Sequence, residues 1–365
     1  MARNSHLPAH RRHPLSTHGG VRGAGTEDPR GHHDSRSGVD SGTGFRAVRV
    51  RMGSRWNRGF ALVIVLWTGV LLSVMAATFA FSMRVETRLA GNLVARTKAE
   101  AIAEAGIHRG ILALLADAQQ ARWITDGRPY ELAFGEGSMR IRLVSENGKV
   151  DLNGAPEALV HGLLRALAEN GELADTRQAA RVADAILDWR DSDNRVRPDG
   201  AEDGDYRASG RPFGSRDGAF LSVSELNQVL GVDADIYARL APWVTVYSWA
   251  PQVDPMTAPR NVLLAVPGLD SALVDQFLAA REAMYASQDA GIEAPSRLPV
   301  ELLSPGARYL SRAASKVYTV EARGELPGGT RSSRRAVIQM TGDARKPYSI
   351  VAWFDSVPEY DIATQ

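Results

Sequence analysis

Acidic side chains are concentrated in one short segment of this chain. Between Asp184 and Asp205 there are eight carboxylates and three arginines, a net charge of −5. Such crowding is unfavourable unless water, arginines or a bound cation neutralise the charges. Carboxylate oxygens are the ligands that calcium prefers, and Gly200 and Gly204 allow the segment to fold back on itself. We therefore expect a calcium site built from Asp188, Asp191, Asp193, Glu202, Asp203 and Asp205.

Two other interpretations of this acidic loop, residues 184–205, stay open. It could be a solvated segment whose carboxylates form ion pairs with Arg190, Arg195 and Arg197. A catalytic pair of carboxylates is a further option, although no pattern in the sequence indicates a substrate cleft or a nucleophile. The loop is not an EF-hand, because the glycine and the terminal glutamate of that motif do not fall at the required positions.

The composition excludes several classes of chemistry. The chain has no cysteine, so it forms no disulfide, thiol nucleophile or thiolate metal site. Six of the eight histidines precede residue 52, which leaves only His108 and His161 further along the chain. A histidine-based catalytic triad or a zinc site with several histidines therefore lacks its residues, and we expect the protein not to be an enzyme.

An uncharged apolar run occupies residues 60–81. As a helix it would reach roughly 33 Å, which is enough to cross a hydrocarbon core of about 30 Å. The excess of positive charge before the run predicts a cytoplasmic N-terminus and places the rest of the chain across the membrane. The arginines that carry this charge are Arg51, Arg55 and Arg58.

This run has three interpretations. A cleaved secretory signal fits the basic flank and the small residues at 77–80, but the run exceeds the usual core of about 7–15 residues. A simple membrane anchor fits its length. The junction Arg58–Gly59–Phe60 resembles the prepilin peptidase site of type IV pilins and pseudopilins. This resemblance implies cleavage between Gly59 and Phe60 and N-methylation of Phe60.

The first 51 residues are rich in Arg, Gly, Ser and His and have a composition typical of disorder. Met52 would begin an eight-residue leader ending at Gly59, so residues 1–51 are either an over-extension of the reading frame or a basic cytoplasmic tail. From Phe60 onward the chain has 32 basic and 38 acidic residues, a net charge of −6. This balance argues against binding to nucleic acid.

The remaining sequence predicts an α+β fold. The helix that begins in the membrane should continue to about residue 121, followed by a β-hairpin formed by residues 130–134 and 138–144. Helical patterns then dominate residues 151–312. Strand patterns return at residues 317–325 and 335–340, with a possible edge strand at 348–354. We expect one small antiparallel sheet interrupted by a large helical insertion.

A weak repeat divides the helical insertion. Residues 150–164 (VDLNGAPEALVHGLL) and 253–267 (VDPMTAPRNVLLAVP) share Val-Asp, Ala-Pro and a following apolar helix. The repeat predicts two related units, 151–249 and 250–312, with two unrelated helix starts as the alternative.

The second unit contains a pattern similar to a helix-hairpin-helix, but Asp270 stands where that DNA-binding motif has its second glycine. A carboxylate facing a phosphate is unfavourable, so we interpret the hairpin as structural.

Taken together, these segments resemble the protein K family, the large minor pseudopilins of type II secretion systems. The most specific matches are the acidic loop AILDWRDSDNRVRPDGAEDGDY and the segment FLSVSELNQVLGV. The resemblance implies a pilin-like fold, bound calcium, and assembly with I-like and J-like minor pseudopilins into a filament tip. It also implies an inner-membrane protein with a periplasmic C-terminal part, processed by the prepilin peptidase.

One position distinguishes the subclass. Most major pilins have Glu at the fifth residue after cleavage, whereas this chain has Ile64, as the resemblance to protein K implies. A subunit without that carboxylate is suited to be first in the filament.

The predicted organisation is then a leader with its extension (1–59), an assembly helix (60–121), first strands (122–150), the helical insertion (151–312), closing strands (313–345) and a C-terminal tail (346–365). The alternative function is a membrane-anchored helix-hairpin-helix protein that binds DNA in a competence-type system.

Overall fold

The computed structural model of the chain describes residues 57–116, 123–289 and 300–355. The predictions for the leader and its extension up to residue 56, and for the end of the first helix near residue 121, lie outside these ranges. The chain divides into two compact units, residues 1–72 and 73–365. The described part of the first unit, residues 57–72, is wholly helical.

The first element, α1 (Asn57–Leu115), confirms the prediction of a long helix that begins with the apolar run. Within the described residues, it is the one helix that is long and apolar enough to cross a membrane, by length and composition. Every residue from Phe60 to Val94 is exposed. From Ser73 to Val94, the apolar surface of α1 is therefore left uncovered by the other described residues of its unit.

Five antiparallel strands form the main sheet in the order β1-β2-β5-β6-β7. The two predicted hairpins are confirmed, and the helical insertion lies between β2 and β5. The possible edge strand is present as β7, so the segment predicted as a tail (346–365) contributes a strand, because its residues continue the antiparallel pairing with β6. The strands are β1 (Asp126–Phe134), β2 (Gly137–Ser145), β5 (Val317–Glu325), β6 (Arg331–Asp343) and β7 (Lys346–Phe354).

The C-terminal part of α1 packs closely against this sheet. Its buried residues recur at the three- and four-residue spacing of one helix face: Ala99, Ile102, Ala103, Gly106, Ile107, Gly110 and Ile111. A β-carbon at Gly110 would lie 2.5 Å from Val320 Cγ1, and one at Gly106 would lie 2.7 Å from Ala322 Cβ. The helix can therefore approach β5 this closely only because glycine occupies these positions.

The helical insertion has its own hydrophobic core, separate from the core between α1 and the sheet. A short parallel pair, β3 (Val150–Asp151) and β4 (Val244–Thr245), joins the two ends of its first part, residues 151–249. Its helices are α2 (Glu157–Glu169), α3 (Thr176–Arg190), α4 (Asp203–Ala208), α5 (Ala234–Leu240), α6 (Arg260–Leu264) and α7 (Ser271–Asp289). Four 3₁₀ segments complete the described secondary structure: Glu146–Gly148, Val223–Gln228, Ala241–Trp243 and Val300–Tyr309.

The two repeated segments have the same local structure, which supports their relationship. Asp151 Oδ1 accepts a hydrogen bond from the Asn153 amide at 2.9 Å, and Asp254 Oδ1 accepts one from the Met256 amide at 3.0 Å. A proline then caps α2 in the first unit and α6 in the second. The two repeat units, 151–249 and 250–312, contact each other at Gly162 of α2, where a β-carbon would lie 1.9 Å from the Ala265 carbonyl oxygen.

The helix-hairpin-helix pattern has a structural explanation. The Asp270 carboxylate accepts a hydrogen bond from the Leu273 amide at 2.9 Å, near the start of α7. Gly268 has a φ of +92°, and a β-carbon there would lie 3.1 Å from the Pro305 carbonyl oxygen. Asp270 therefore stabilises the first turn of α7, and Gly268 makes a turn that packs against the segment near Pro305.

The close approach of α1 to the sheet can be tested with Gly110→Ala. We expect a loss of about 1–3 kcal/mol in unfolding free energy, because the new methyl group overlaps Val320 and Leu143. Gly91→Ala is the matched control in the same helix, since nothing lies within 4 Å of its β-carbon position. Thermal unfolding of the detergent-purified protein measures both. Equal stability of the two variants would contradict the packing described here.

Candidate metal site in the acidic loop

The acidic loop is anchored by aromatic packing at both ends. Trp189, near the end of α3, lies 5.5 Å from the Tyr206 ring of α4 and 6.3 Å from Phe220, measured between ring centroids. Trp189, Tyr206 and Phe220 are all buried. This contact brings α4 back against α3 and turns the intervening loop into a compact structure. The predicted fold-back of the segment is thus confirmed.

Asp188 is the fully buried carboxylate of the loop. Its Oδ2 accepts hydrogen bonds from the backbone amides of Arg197 (3.2 Å) and Ala201 (2.9 Å). A β-carbon at Gly200 would lie 2.0 Å from the same oxygen, so glycine is required where the loop passes Asp188. Gly204, by contrast, has no heavy atom within 4 Å of its β-carbon position and no positive φ. Only the first of the two predicted glycines has this role.

Arg197 connects three carboxylates. Its Nη1 donates to Asp188 Oδ1 at 2.6 Å and to Asp191 Oδ2 at 2.5 Å, and its Nη2 donates to Glu157 Oε1 at 2.8 Å. Burial opposes the charge of Arg197, but these hydrogen bonds outweigh it and raise the pKa of the guanidinium. The hydrogen bond from Arg197 in turn lowers the pKa of Glu157. For Arg197, the expected ion pairs with the acidic loop are therefore present.

The other two arginines do not have the expected pairings. The Arg190 guanidinium donates to the Leu152 carbonyl at 2.6 Å, which ties the end of α3 to β3. Arg195 contacts the loop through its backbone amide, which donates to Asp193 Oδ1 at 2.9 Å. A backbone amide contact fixes the course of the loop but does not neutralise charge as a guanidinium does.

Glu202 has one carboxylate oxygen with a partner and one without. The residue is only 5% exposed. Oε2 accepts a hydrogen bond from Ser215 Oγ at 2.7 Å, whereas Oε1 is buried and has no hydrogen-bond partner among the described residues. Burial raises the pKa of Glu202, and the charges of Asp188 and Asp191 raise it further. A cation beside Oε1 would compensate this unpaired charge, so this one oxygen suits a metal ligand.

The remaining three predicted ligands make local contacts. Asp193 Oδ1 accepts from the Arg195 amide, Asp203 Oδ2 is paired with the Arg207 guanidinium at 2.6 Å, and Asp205 Oδ2 accepts from the Glu202 amide at 3.0 Å. The last contact closes the first turn of α4. Within residues 57–116, 123–289 and 300–355, no three acidic or histidine side chains form a group that could hold a metal ion in this conformation. The six-residue ligand set stays a prediction.

Sequence reasoning did not find two residues of the site, Glu157 and Ser215. Glu157 lies in the first turn of α2, 40 residues before Arg197, and Ser215 follows Glu202 by 13 residues. Neither residue belongs to an acidic run or a known ligand spacing, so no local signal marks them. They reach the site because α2 packs against α3 and because the loop after α4 returns to Glu202.

The structure defines a class of protein: a pilin-like α+β fold with a long N-terminal apolar helix, a small antiparallel sheet and a large helical insertion. This confirms the fold class expected from the sequence. Residues 141–249 also match the family model of type II secretion system protein K. The resemblance inferred from the sequence is thereby confirmed: this part of the chain is similar to type II secretion system protein K.

Three curated relatives, each called type II secretion system protein K, show the extent of the similarity. The Aeromonas hydrophila protein is 30% identical over 213 residues, covering 52% of this chain and 63% of the relative. The Dickeya chrysanthemi protein is 42% identical over 104 residues, covering 28% and 27%. The Klebsiella pneumoniae protein is 26% identical over 311 residues, covering 78% and 93%. The chain thus spans less than two thirds of the Aeromonas protein and about a quarter of the Dickeya protein.

Among solved structures, a chain of the GspK–GspI–GspJ complex from the enterotoxigenic Escherichia coli type 2 secretion system is similar. The TM-score is 0.46 at 17% identity, and the match covers 76% of this chain and 99% of that chain.

The unpaired charge of Glu202 predicts an unusual effect of Glu202→Gln. Glutamine keeps an oxygen that can accept from Ser215 and removes the buried charge. With a chelator present, the unfolding free energy of Glu202→Gln should therefore be about 1 kcal/mol higher than that of the wild type. Asp203→Asn is the control, because its carboxylate is already paired with Arg207 and its loss should bring no gain. Chemical denaturation measures both variants. A less stable Glu202→Gln protein would show that the charge is compensated.

Proposed function

We propose that this protein is a minor pseudopilin that initiates and caps the pseudopilus of a type II secretion system. The observation that carries this proposal is α1, which joins an exposed apolar, membrane-length segment to a stretch packed on the sheet. The match to protein K supports it. In this role the protein is an inner-membrane protein with its sheet and helical insertion in the periplasm, where the bulky insertion leaves no room for another subunit above it.

Processing is part of this proposal. The prepilin peptidase cleaves between Gly59 and Phe60, and Phe60 is then N-methylated. Ile64 replaces the glutamate that other pilins present to a neighbouring N-terminus, which suits a subunit with none ahead of it. Phe60 and Ile64 are both exposed, so both are free to contact other helices or lipid.

N-terminal sequencing of the membrane-extracted protein tests the cleavage. We expect the sequence to begin at a methylated Phe60 in cells that contain the peptidase. Gly59→Leu should leave the precursor uncut, because cleavage requires a small residue before the bond, whereas Ile64→Val should be processed normally. An intact leader on the wild-type protein in these cells would reject the cleavage.

The proposed partners are the I-like and J-like minor pseudopilins. Beyond Arg84, α1 still has large apolar side chains that this chain leaves exposed, including Leu89 (59%), Leu93 (58%) and Val94 (56%). A contiguous apolar surface on a helix favours packing against other helices. The N-terminal helices of the partner subunits would cover this part of α1.

Co-purification with both candidate partners tests the assembly. We expect the wild-type protein to retain them in detergent and Leu93→Arg to recover at least several-fold less, because a charge would replace an apolar contact. Lys98→Ala is the control on the same helix, since it removes an exposed charge. No recovery of either partner with the wild-type protein would reject this assembly.

Calcium bound in the acidic loop is a further part of the proposal. Its support is the buried, unpaired Glu202 Oε1 and the absence of histidine or cysteine in the loop, which leaves only hard oxygen ligands. Such an ion would have a structural role, holding the loop between α3 and α4.

A further inference from the structure

Arg197 occupies the position between carboxylates where a cation would be expected. Its guanidinium contacts Asp188, Asp191 and Glu157 at once, and its side chain is 23% exposed. It already neutralises two of the predicted calcium ligands. This arrangement explains why the described acidic side chains do not gather around a common point: a guanidinium lies between them.

Glu202 gives an independent indication that another cation belongs here. Its Oε1 is buried without a hydrogen-bond partner among the described residues, and Glu202 directly follows Ala201, whose amide donates to Asp188 Oδ2 at 2.9 Å. The ion pairs of Arg197 described above do not include Glu202. The guanidinium therefore satisfies one part of the acidic loop and leaves the other part with an uncompensated charge.

We propose that Arg197 is a built-in competitor of the metal: its guanidinium holds Asp188 and Asp191 in the metal-free protein and is displaced when calcium binds. This inference rests on the proposed calcium binding. Displacement frees Asp188 Oδ1 and Asp191 Oδ2, which join Glu202 Oε1 as oxygen ligands. Calcium takes about six to eight oxygens, so water and backbone carbonyls complete its coordination.

The loop allows this exchange without unfolding. Asp188 Oδ2 is held by two backbone amides, and neither hydrogen bond involves the guanidinium. The course of the loop past Gly200 is therefore fixed whether or not the guanidinium is in place. Glu157 is 61% exposed and can keep its contact with Arg197 as the guanidinium moves toward solvent. Arg197 thus stabilises the metal-free loop and weakens its affinity for calcium.

The test compares the full-length, detergent-purified wild type with Arg197→Gln. We measure calcium binding by titration calorimetry and thermal unfolding with calcium or with a chelator. Arg197→Gln should unfold at a lower temperature with the chelator, and calcium should raise its Tm more than that of the wild type. Its Kd for calcium should fall by about tenfold, since one competing charge is removed. Arg165→Gln, which removes an exposed arginine paired with Glu169 outside the acidic loop, should behave like the wild type.

If Arg197→Gln does not fold, Arg197→Lys tests the same inference. Lysine retains the charge but cannot bridge two carboxylates with a planar fork, so its Kd should fall between those of the wild type and Arg197→Gln. If calcium binds the wild type and these variants equally, Arg197 does not compete and this inference is overturned. If no variant binds calcium, the proposed calcium site fails as well. The pseudopilin assignment is tested separately by co-purification.

Discussion

Glu146 is the buried carboxylate on which the junction of the two cores depends. It is 1% exposed and lies directly after β2, where the chain leaves the sheet for the helical insertion. Its oxygens accept hydrogen bonds from Thr319 at the start of β5 (2.6 Å), from Lys149 (2.9 Å) and from Thr245 of β4. A buried charge without partners is costly, so only the assembled junction accommodates it. Glu146 therefore fixes the point where the insertion departs from the sheet and returns to it.

The sheet side of this junction is fixed in turn by α1. Gly324 of β5 lies so close to the helix that a β-carbon would be 2.4 Å from the Ala99 carbonyl, and Gly106 and Gly110 make the same approach from the helix side. Small residues on both surfaces bring the backbones together and bury Ile141 and Val320 between them. The helix and the central strands therefore behave as one packed body.

Elements with a local signal could be predicted from the sequence. The apolar run predicted α1, the alternation Met139-Arg140-Ile141-Arg142-Leu143 predicted β2, and glycines marked the turns. Residues 222–226 have the Ser-x-x-Glu spacing that predicts the start of an α-helix. They open a 3₁₀ segment because the Glu225 carboxylate accepts from the Leu221 amide and Ser222 makes no side-chain cap. Glu146 could not have been recognised, since Thr319 is 173 residues away in the sequence. The site shows the same limit: its acidity was evident, but the contact of Arg197 with Glu157 depends on the packing of α2 and α3.

The acidic loop combines a high local charge with a buried position, and the chain resolves this conflict with its own residues. Backbone amides hold Asp188, a guanidinium holds Asp191, and the first turn of α4 holds Asp205. These contacts all come from the chain itself, so the carboxylates of Asp188, Asp191 and Asp205 are each hydrogen-bonded. Glu202 is the exception, because its Oε1 is the one oxygen of the predicted ligands that is known to be both buried and unpaired within the described residues. Under the proposed exchange, a cation compensates this one carboxylate, and its affinity depends on how readily Arg197 releases Asp188 and Asp191.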